Sequence, residues 1–160
     1  MYRARWTEQI HNEWMRNVLK NRTDLTKEQL MRTKNLMNRS VRDCLIENYE
    51  SIIPSLNLPD PDDRHVLAAA ITGQADVIVT MNLKDFPDSI LGQYEIEPQH
   101  PDIFIADLID LYPMKVAIVA ETCRKRLKNP PKSIDEYLEI LLKQGLTMTV
   151  SLLKQYCYEV

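Results

Sequence analysis

The sequence of 160 residues has little of what several protein classes require. Its three glycines are too few for a turn-rich all-β fold, which leaves an α/β fold with few strands or an all-α fold. The three cysteines are odd in number and share no metal-ligand spacing, so we expect buried or incidental thiols in a reducing compartment. The three histidines are equally scattered and form no zinc set. The cysteines are Cys44, Cys123 and Cys157.

Long apolar runs and a strong net charge are also missing. No apolar stretch approaches 18 residues and no signal peptide is recognisable, so we expect a cytoplasmic protein with no membrane segment. The formal net charge is −3, which gives no global attraction to nucleic acid. Any electrostatic contact with a polyanion must therefore be local.

Positive charge is concentrated in two segments of the chain. Residues 14–42 hold eight Lys or Arg and two acids, and residues 115–132 hold six Lys or Arg and one acid. A solvated helix face is the simpler interpretation of each segment. A basic flank beside an acidic pocket is also what a nuclease needs to hold phosphates near a metal ion. The sequence leaves both interpretations open.

Residues 58–86 carry most of the candidate chemistry. Asp60 fits the N-cap of a helix, Pro61 its first position, and Asp63 the N3 position of a capping box. Because the helix dipole favours acidic residues in a first turn, a purely structural role would explain this segment by itself.

The segment after this helix favours a chemical role as well. Residues 77–80, Val-Ile-Val-Thr, form an apolar β-branched run typical of a buried parallel strand. Asn82 and Asp85 follow its carboxyl end, where ligand sites of parallel sheets gather. With Asp60 and Asp63 they would form a group of four oxygen-bearing side chains, the kind of ligand that Mg²⁺ prefers.

Two blocks of this stretch resemble the second half of a PIN domain. They are residues 60–70, Asp-Pro-Asp-Asp-Arg-His-Val-Leu-Ala-Ala-Ala, and residues 77–86, Val-Ile-Val-Thr-Met-Asn-Leu-Lys-Asp-Phe. The resemblance implies a Mg²⁺- or Mn²⁺-dependent ribonuclease, and in particular the VapC-type toxin of a bacterial toxin–antitoxin pair. It therefore also implies an RNA substrate and a cognate antitoxin protein.

The resemblance implies a role for each candidate site residue. Asp63 and Asp85 would bind the metal, directly or through water, and Asp60 would cap the helix and orient Asp63. Glu13, which by spacing alone is a boundary residue of an apolar helix face, would bind the metal or lie beside a ligand. Asn82 would hold a ligand or the scissile phosphate; since PIN domains often have Asp there, we expect Asp85 to supply that charge. The candidate catalytic residues are thus Glu13, Asp63 and Asp85, and the candidate metal-binding residues are Glu13, Asp60, Asp63, Asn82 and Asp85.

The expected fold is α/β, a PIN-like three-layer fold with a short parallel sheet and a C-terminal helical extension. PIN domains usually begin with a strand that ends in an acidic residue, followed by a helix, and this sequence has neither before residues 2–6. Without them the sheet is N-terminally truncated. Either the sequence is a truncated product, or the chain completes its sheet by pairing with another chain, in a homo-oligomer or with a separate fragment.

The chain is expected to have two regions, divided near residues 99–102. Residues 1–100 would be the PIN-like domain without its first strand and helix, and residues 101–160 a helical accessory region. Residues 126–138 resemble the helical extension of one VapC-like subgroup. Within this region, Ser133 and Glu136 form a capping-box pattern, and Thr147 is expected to cap the last helix.

Local patterns predict further elements of the fold. Residues 2–6, residues 51–53 and residues 94–97 are expected as short strands, the last of them ended by Pro98. Thr7 is expected to cap the first helix, and Thr26 to open the second with Gln29 in a capping box.

Two alternatives to the ribonuclease stay open. The chain could be an inactive PIN-like scaffold that binds RNA or an antitoxin through its basic segments. It could also be an all-α interaction domain whose resemblance to PIN domains is accidental. A parallel strand at residues 77–80 would exclude the all-α alternative.

Overall fold

The computed structural model describes residues 1–156, so the expectation for Cys157 lies outside the described residues. The structure is mixed α/β, 63% helical, with one short parallel sheet of two strands in the described part. The chain forms two compact units. The N-terminal unit contains residues 2–78 and 84–98, and the C-terminal unit contains Met1, residues 79–83 and the chain from Gln99 onward.

The N-terminal unit contains four α-helices joined by turns and short 3-10 helices. The α-helices are α1 (Glu8–Asn21), α2 (Lys27–Ser40), α3 (Arg64–Thr72) and α4 (Asp88–Leu91). The 3-10 helices entirely within this unit are Glu50–Ser55, Pro61–Asp63 and Gly92–Tyr94.

The sheet consists of β1 (Val77–Val79) and β2 (Glu97–Gln99). The backbone N–H of Glu97 donates to the carbonyl of Asp76, and the N–H of Thr80 donates to the carbonyl of Gln99, each at 2.9 Å. The parallel strand predicted at residues 77–80 is therefore confirmed over Val77–Val79, and the all-α alternative is wrong. Its predicted burial is only partly correct, since Ile78 is buried but Val79 is 44% exposed.

Side-chain caps begin the first two helices as their sequences predicted. Thr7 Oγ1 accepts a hydrogen bond from the Ile10 backbone N–H, which opens α1. At the start of α2, Thr26 and Gln29 form both bonds of a capping box. These bonds satisfy backbone N–H groups that have no partner within the helix.

The core of the N-terminal unit surrounds α3. The alanine-rich sequence of α3 favours a helix, and its small side chains allow neighbouring segments to approach closely. The helix ends at Gly73, where the chain turns toward β1. The buried apolar residues of this core are Ile46, Tyr49, Leu56, Leu58, Leu67, Ala68, Ala69, Ala70, Ile78, Phe86, Leu91 and Ile96.

A partly buried polar network around the buried ring of His11 links α1 to α2. The indole N–H of Trp6 donates to Asn38 Oδ1 at 2.7 Å, and His11 Nε2 lies 2.9 Å from the same oxygen. Trp14 donates its indole N–H to His11 Nδ1 at 2.9 Å. Because Nδ1 accepts, the proton of the neutral ring lies on Nε2, which donates to Asn38.

Three strand predictions were wrong in type or position. Residues 2–6 form no strand, only one parallel bridge in which Trp6 pairs with Leu45. Tyr2 is exposed, so the alternating large side chains of this segment do not form a buried face. Residues 51–53 lie in a 3-10 helix, whose i to i+3 bonds replace strand pairing. The strand predicted at residues 94–97 is displaced to Glu97–Gln99 and includes Pro98. Its pairing uses the N–H of Glu97 and the carbonyl of Gln99, so the missing N–H of Pro98 breaks no bond there.

The C-terminal unit contains four helices in its described part, which ends at residue 156. They are α5 (Pro101–Leu111), α6 (Pro113–Arg126), α7 (Ile134–Lys143) and α8 (Thr147–Leu153). Ser133 and Glu136 open α7 with the predicted capping box. Gly145, at φ +83°, follows α7 in the left-handed conformation that glycine adopts without strain. The buried apolar residues of this unit's core are Ile109, Val116, Leu138, Val150 and Leu153.

The start of α8 differs from the prediction. Thr147 is the first helical residue and not the cap, because the cap position is occupied by Leu146, which has no side-chain oxygen. The backbone N–H groups of Met148 and Thr149, in the first turn of α8, donate instead to the carboxylate of Asp102 in α5.

Within residues 1–156, none of the helices combines the length and the apolar character that crossing a membrane would require.

Candidate metal centre

The acidic turn before α3 has a different geometry from the predicted capping box. Asp60 does act as a cap, but its Oδ1 accepts from the N–H of Asp62, at 2.9 Å, and starts the 3-10 helix Pro61–Asp63. Asp63 then occupies the N-cap position of α3 and makes no side-chain capping bond. The capping-box prediction for Asp63 is therefore wrong, because the 3-10 turn moves the start of α3 past this residue.

Three carboxylates meet in the N-terminal unit. Asp85, at the end of the 3-10 helix Leu83–Asp85 that follows β1, joins Asp60 and Asp63. One ligand oxygen from each residue lies within 4.8 Å of the other two. We refer to Asp60, Asp63 and Asp85 as the acidic triad. Like charges at this separation repel one another, and a divalent cation among them would remove that repulsion.

The pKa of Asp63 shows this repulsion. Burial is the largest cause that raises it above its ordinary value, followed by the negative charges of Asp60 and Asp85. The charge of Glu13 also raises it, while His65 acts in the opposite direction. The ionised form of Asp63 is thus disfavoured, as expected for a carboxylate in a site suited to a cation.

Glu13 lies on α1, outside the acidic triad but within electrostatic reach of Asp63. Its side chain is 34% exposed, and its Oε1 atom lies 2.9 Å from Nε2 of His65. The acidic site residues predicted from the sequence thus divide into a close triad and one neighbouring carboxylate.

Asn82 lies in residues 79–83, which belong to the C-terminal unit. It is exposed, and its backbone N–H donates to Thr80 Oγ1 at 3.1 Å. This bond fixes a local turn directly after β1.

Sequence reasoning overlooked His65. It is the second residue of α3, is only 3% exposed, and is the group that contacts Glu13. The one signal in the sequence was a histidine two positions after Asp63, directly before an apolar run, Val-Leu-Ala-Ala-Ala. A lone histidine beside such a run is ordinarily a core residue, so spacing alone could not distinguish it.

The family model of the PIN domain matches residues 2–84, which is more than half of the chain. The chain belongs to the PIN-domain family. A second family model, the VapC50 C-terminal domain, matches residues 101–155. The family resemblance seen in the sequence is therefore confirmed for both parts of the chain.

One curated relative of this PIN-domain chain is "Putative ribonuclease VapC50" of Mycobacterium tuberculosis. The two are 52% identical over 64 residues, which is 40% of this chain and 37% of the relative. The matched part thus spans little more than a third of the relative's length. No solved structure gives a significant match.

The donor set of this PIN domain fits a hard divalent cation. All three residues of the acidic triad offer carboxylate oxygens, which Mg²⁺ and Mn²⁺ prefer over nitrogen or sulfur. The raised pKa of Asp63 adds an electrostatic reason for a cation at this position. Asp60, Asp63 and Asp85 are therefore the residues that could hold the ion.

Proposed function

We propose that this PIN-domain chain is a Mg²⁺- or Mn²⁺-dependent endoribonuclease and the toxin of a toxin–antitoxin pair. The acidic triad is the observation that carries the proposal, since it offers three carboxylates to one ion. The PIN-domain match and the ribonuclease named among its relatives support the same activity. The proposal also includes the organisation of the chain and its oligomeric state. Residues 1–100 form a PIN-like region, residues 101–160 form an accessory region, and the protein is a homo-oligomer.

In this proposal each acidic residue has a distinct task. Asp63 and Asp85 bind the ion. Asp60 accepts a hydrogen bond from the Asp62 N–H and so holds the turn that orients Asp63. Glu13, whose charge acts on Asp63, binds the ion or the water next to it. Asn82 contacts the scissile phosphate. A bound divalent ion supplies an activated water for in-line attack and stabilises charge on the leaving oxygen.

The basic residues of α2 are suited to hold the phosphates of RNA. Lys27, Arg32 and Arg39 are exposed on this helix, which belongs to the same unit as the acidic triad. Two apolar side chains, Met31 and Leu36, are exposed beside them. Such a surface can bind the backbone by charge and the bases by apolar contact.

The second basic segment is less suited to this task, because ion pairs within the C-terminal unit hold three of its six basic residues. Arg124 forms two hydrogen bonds with Glu121, and Lys125 lies 3.2 Å from the same carboxylate. The hydrogen bond from Arg124 is the largest cause that lowers the pKa of Glu121, to about 2. Lys132 pairs with Glu136 at 3.5 Å. We therefore assign the RNA contact to α2.

The proposal is tested by cleavage of a mixed RNA substrate with and without Mg²⁺. We expect cleavage by the unaltered chain, none in EDTA, and a loss of at least about 100-fold in D63N. The matched control is D62N, which removes the same charge from an exposed residue of the same turn, outside the triad. Full cleavage by D63N would refute the site. Tight RNA or antitoxin binding without cleavage would favour the scaffold alternative.

A further inference from the structure

His65 is a buried polar side chain without a satisfied hydrogen bond. It is 3% exposed, and among the described residues neither ring nitrogen has a partner in hydrogen-bonding geometry. Its Nε2 nevertheless lies 2.9 Å from Glu13 Oε1. This distance is short enough for a hydrogen bond, but the two groups are not aligned for one. Buried polar groups are nearly always paired, so an exception of this kind requires an explanation.

Packing alone does not explain a histidine at this position. The residues that follow His65 along α3 are apolar, and Leu67, Ala68 and Ala69 are buried in the core. An apolar side chain of similar size would fill the same volume without burying two ring nitrogens. The imidazole is therefore explained only by a polar group that it contacts, and Glu13 is that group.

The position of His65 in the chain connects this contact to the acidic triad. Asp63 is the N-cap residue of α3 and His65 is its second residue, so one helical turn carries both a triad carboxylate and the ring beside Glu13. Glu13 Oε1 lies 2.9 Å from the ring of His65, so this carboxylate lies against the same helical turn that carries Asp63. A change in the orientation of Glu13 would therefore be felt at the triad.

We propose that His65 is a positioning residue for the metal centre: its Nε2–H donates to Oε1 of Glu13 and fixes that carboxylate toward the acidic triad. The proposal rests on the proposed function, because it gives Glu13 a role beside the bound ion. His65 itself touches neither the ion nor the RNA. With Oε1 held by the ring, the second carboxylate oxygen of Glu13 remains available to the ion or its water. Groups that orient metal ligands in this way commonly contribute 10- to 100-fold to metal affinity.

The first test measures Mn²⁺ binding by calorimetry for the full chain and four variants: H65L, H65Q, E13Q and the double variant H65L/E13Q. We expect H65L to weaken Mn²⁺ binding by about 10-fold or more. H65Q keeps a side-chain N–H and should restore most of the affinity. In the E13Q background, H65L should cause no additional loss, because its effect passes through the carboxylate that is already altered.

A purely structural role for His65 would give a different result. H65L would then reduce Mn²⁺ affinity equally in the wild-type and E13Q backgrounds, or not at all, and either result would overturn the inference. Circular dichroism of each variant identifies a loss of fold. If H65L fails to fold, H65Q still tests the inference, since it must bind Mn²⁺ nearly normally, and an NMR comparison of the unaltered chain with E13Q needs no H65L variant.

The second test needs no metal. Two-dimensional ¹H–¹⁵N NMR of the imidazole rings should show a proton on Nε2 of His65 and a change of its ¹⁵N shift in E13Q. A ring protonated on Nδ1 alone would contradict the proposed contact even if Mn²⁺ binds. Conversely, NMR could show the His65–Glu13 bond while the unaltered chain binds no Mn²⁺. That result would overturn both the proposed metal centre and the positioning role of His65.

Discussion

The Oδ1 atom of Asp102 accepts a hydrogen bond from the backbone N–H of Thr149 at 2.8 Å, and Oδ2 accepts one from Met148 at 2.9 Å. Asp102 lies in the first turn of α5 and is 7% exposed. A carboxylate of one helix thus caps another helix 47 residues later in the chain. Thr149 Oγ1 also donates to the carbonyl of Asp102, which makes the link reciprocal.

Replacing Asp102 should destabilise the C-terminal unit. D102N keeps the shape of the side chain but directs an NH₂ group toward one of the two backbone N–H donors, which loses its acceptor. We expect the free energy of unfolding of D102N, measured in urea, to be about 1–3 kcal/mol lower than that of the unaltered chain. D107N, which changes an exposed residue of the same helix, should stay within about 0.5 kcal/mol of the unaltered chain. Equal losses in the two variants would contradict the capping role.

Stability should also depend on pH through Asp102. Burial raises the pKa of this carboxyl, but the hydrogen bonds from Thr149 and Met148 outweigh burial and hold the pKa below its ordinary value. A carboxyl with a lowered pKa stabilises the fold at pH above its unfolded pKa, about 3.9, and loses this contribution as pH falls through the folded pKa. The difference in unfolding free energy between the unaltered chain and D102N should therefore shrink below about pH 4. A difference that is constant between pH 7 and pH 3 would disprove this assignment.

The two kinds of cap show which structure a sequence can predict. The caps at Thr26 and Ser133 involve residues three positions apart, and patterns at that range are visible in the sequence. The cap of α8 comes from Asp102, and no property of Thr147 indicates that a distant carboxylate replaces it. Local bonds could be predicted because local geometry determines them, whereas this one depends on how the helices of the unit pack.

The acidic triad shows the same division. The residue types and their positions around β1 predicted that oxygen ligands would meet, and the structure brings Asp60, Asp63 and Asp85 together. The 3-10 turn was not predictable, since an Asp-Pro-Asp-Asp sequence fits a capping box equally well. The role of His65 depends on α1 lying beside α3, a tertiary contact that no spacing in the sequence encodes.

Gly73 should be sensitive to the addition of a single methyl group. A Cβ atom at this position would lie 2.5 Å from Ile46 Cδ1 and 3.0 Å from the Ala69 carbonyl oxygen. Because Ile46 is buried in the core, we expect G73A to lose about 1–3 kcal/mol of stability in chemical denaturation. G92A is the matched control, since a Cβ at residue 92 has no neighbour within 4 Å. A G73A variant as stable as G92A would show that the core adjusts freely here.

The network around Asn38 predicts a second stability difference. N38A removes the acceptor of the Trp6 indole N–H and of His11 Nε2, so two largely buried donors lose their partner. We expect a loss of about 2–4 kcal/mol and a changed tryptophan emission spectrum, measured together in a thermal melt followed by fluorescence. N35A alters an exposed asparagine of the same helix and should have little effect. An unchanged N38A variant would mean that water replaces the amide.

Removing the charge of Asp63 should separate stability from metal binding. Burial and the charges of Asp60 and Asp85 raise the pKa of Asp63, so its ionised form destabilises the fold at neutral pH, and this effect disappears as pH falls through the raised pKa. We therefore expect D63N in EDTA to have a higher Tm than the unaltered chain, by a few degrees at most because solvent screens part of the repulsion.

Mn²⁺ should reverse this order of stability. At a Mn²⁺ concentration 100-fold above its Kd, the unaltered chain should gain about 2.7 kcal/mol, since the ion binds only the folded state, and D63N should gain almost none. Differential scanning fluorimetry with and without Mn²⁺ measures both effects. D62N, in the same turn but outside the acidic triad, should melt like the unaltered chain in both conditions. If D63N were less stable in EDTA, or kept the full Mn²⁺ shift, repulsion within the triad would not be the reason for a cation at this site.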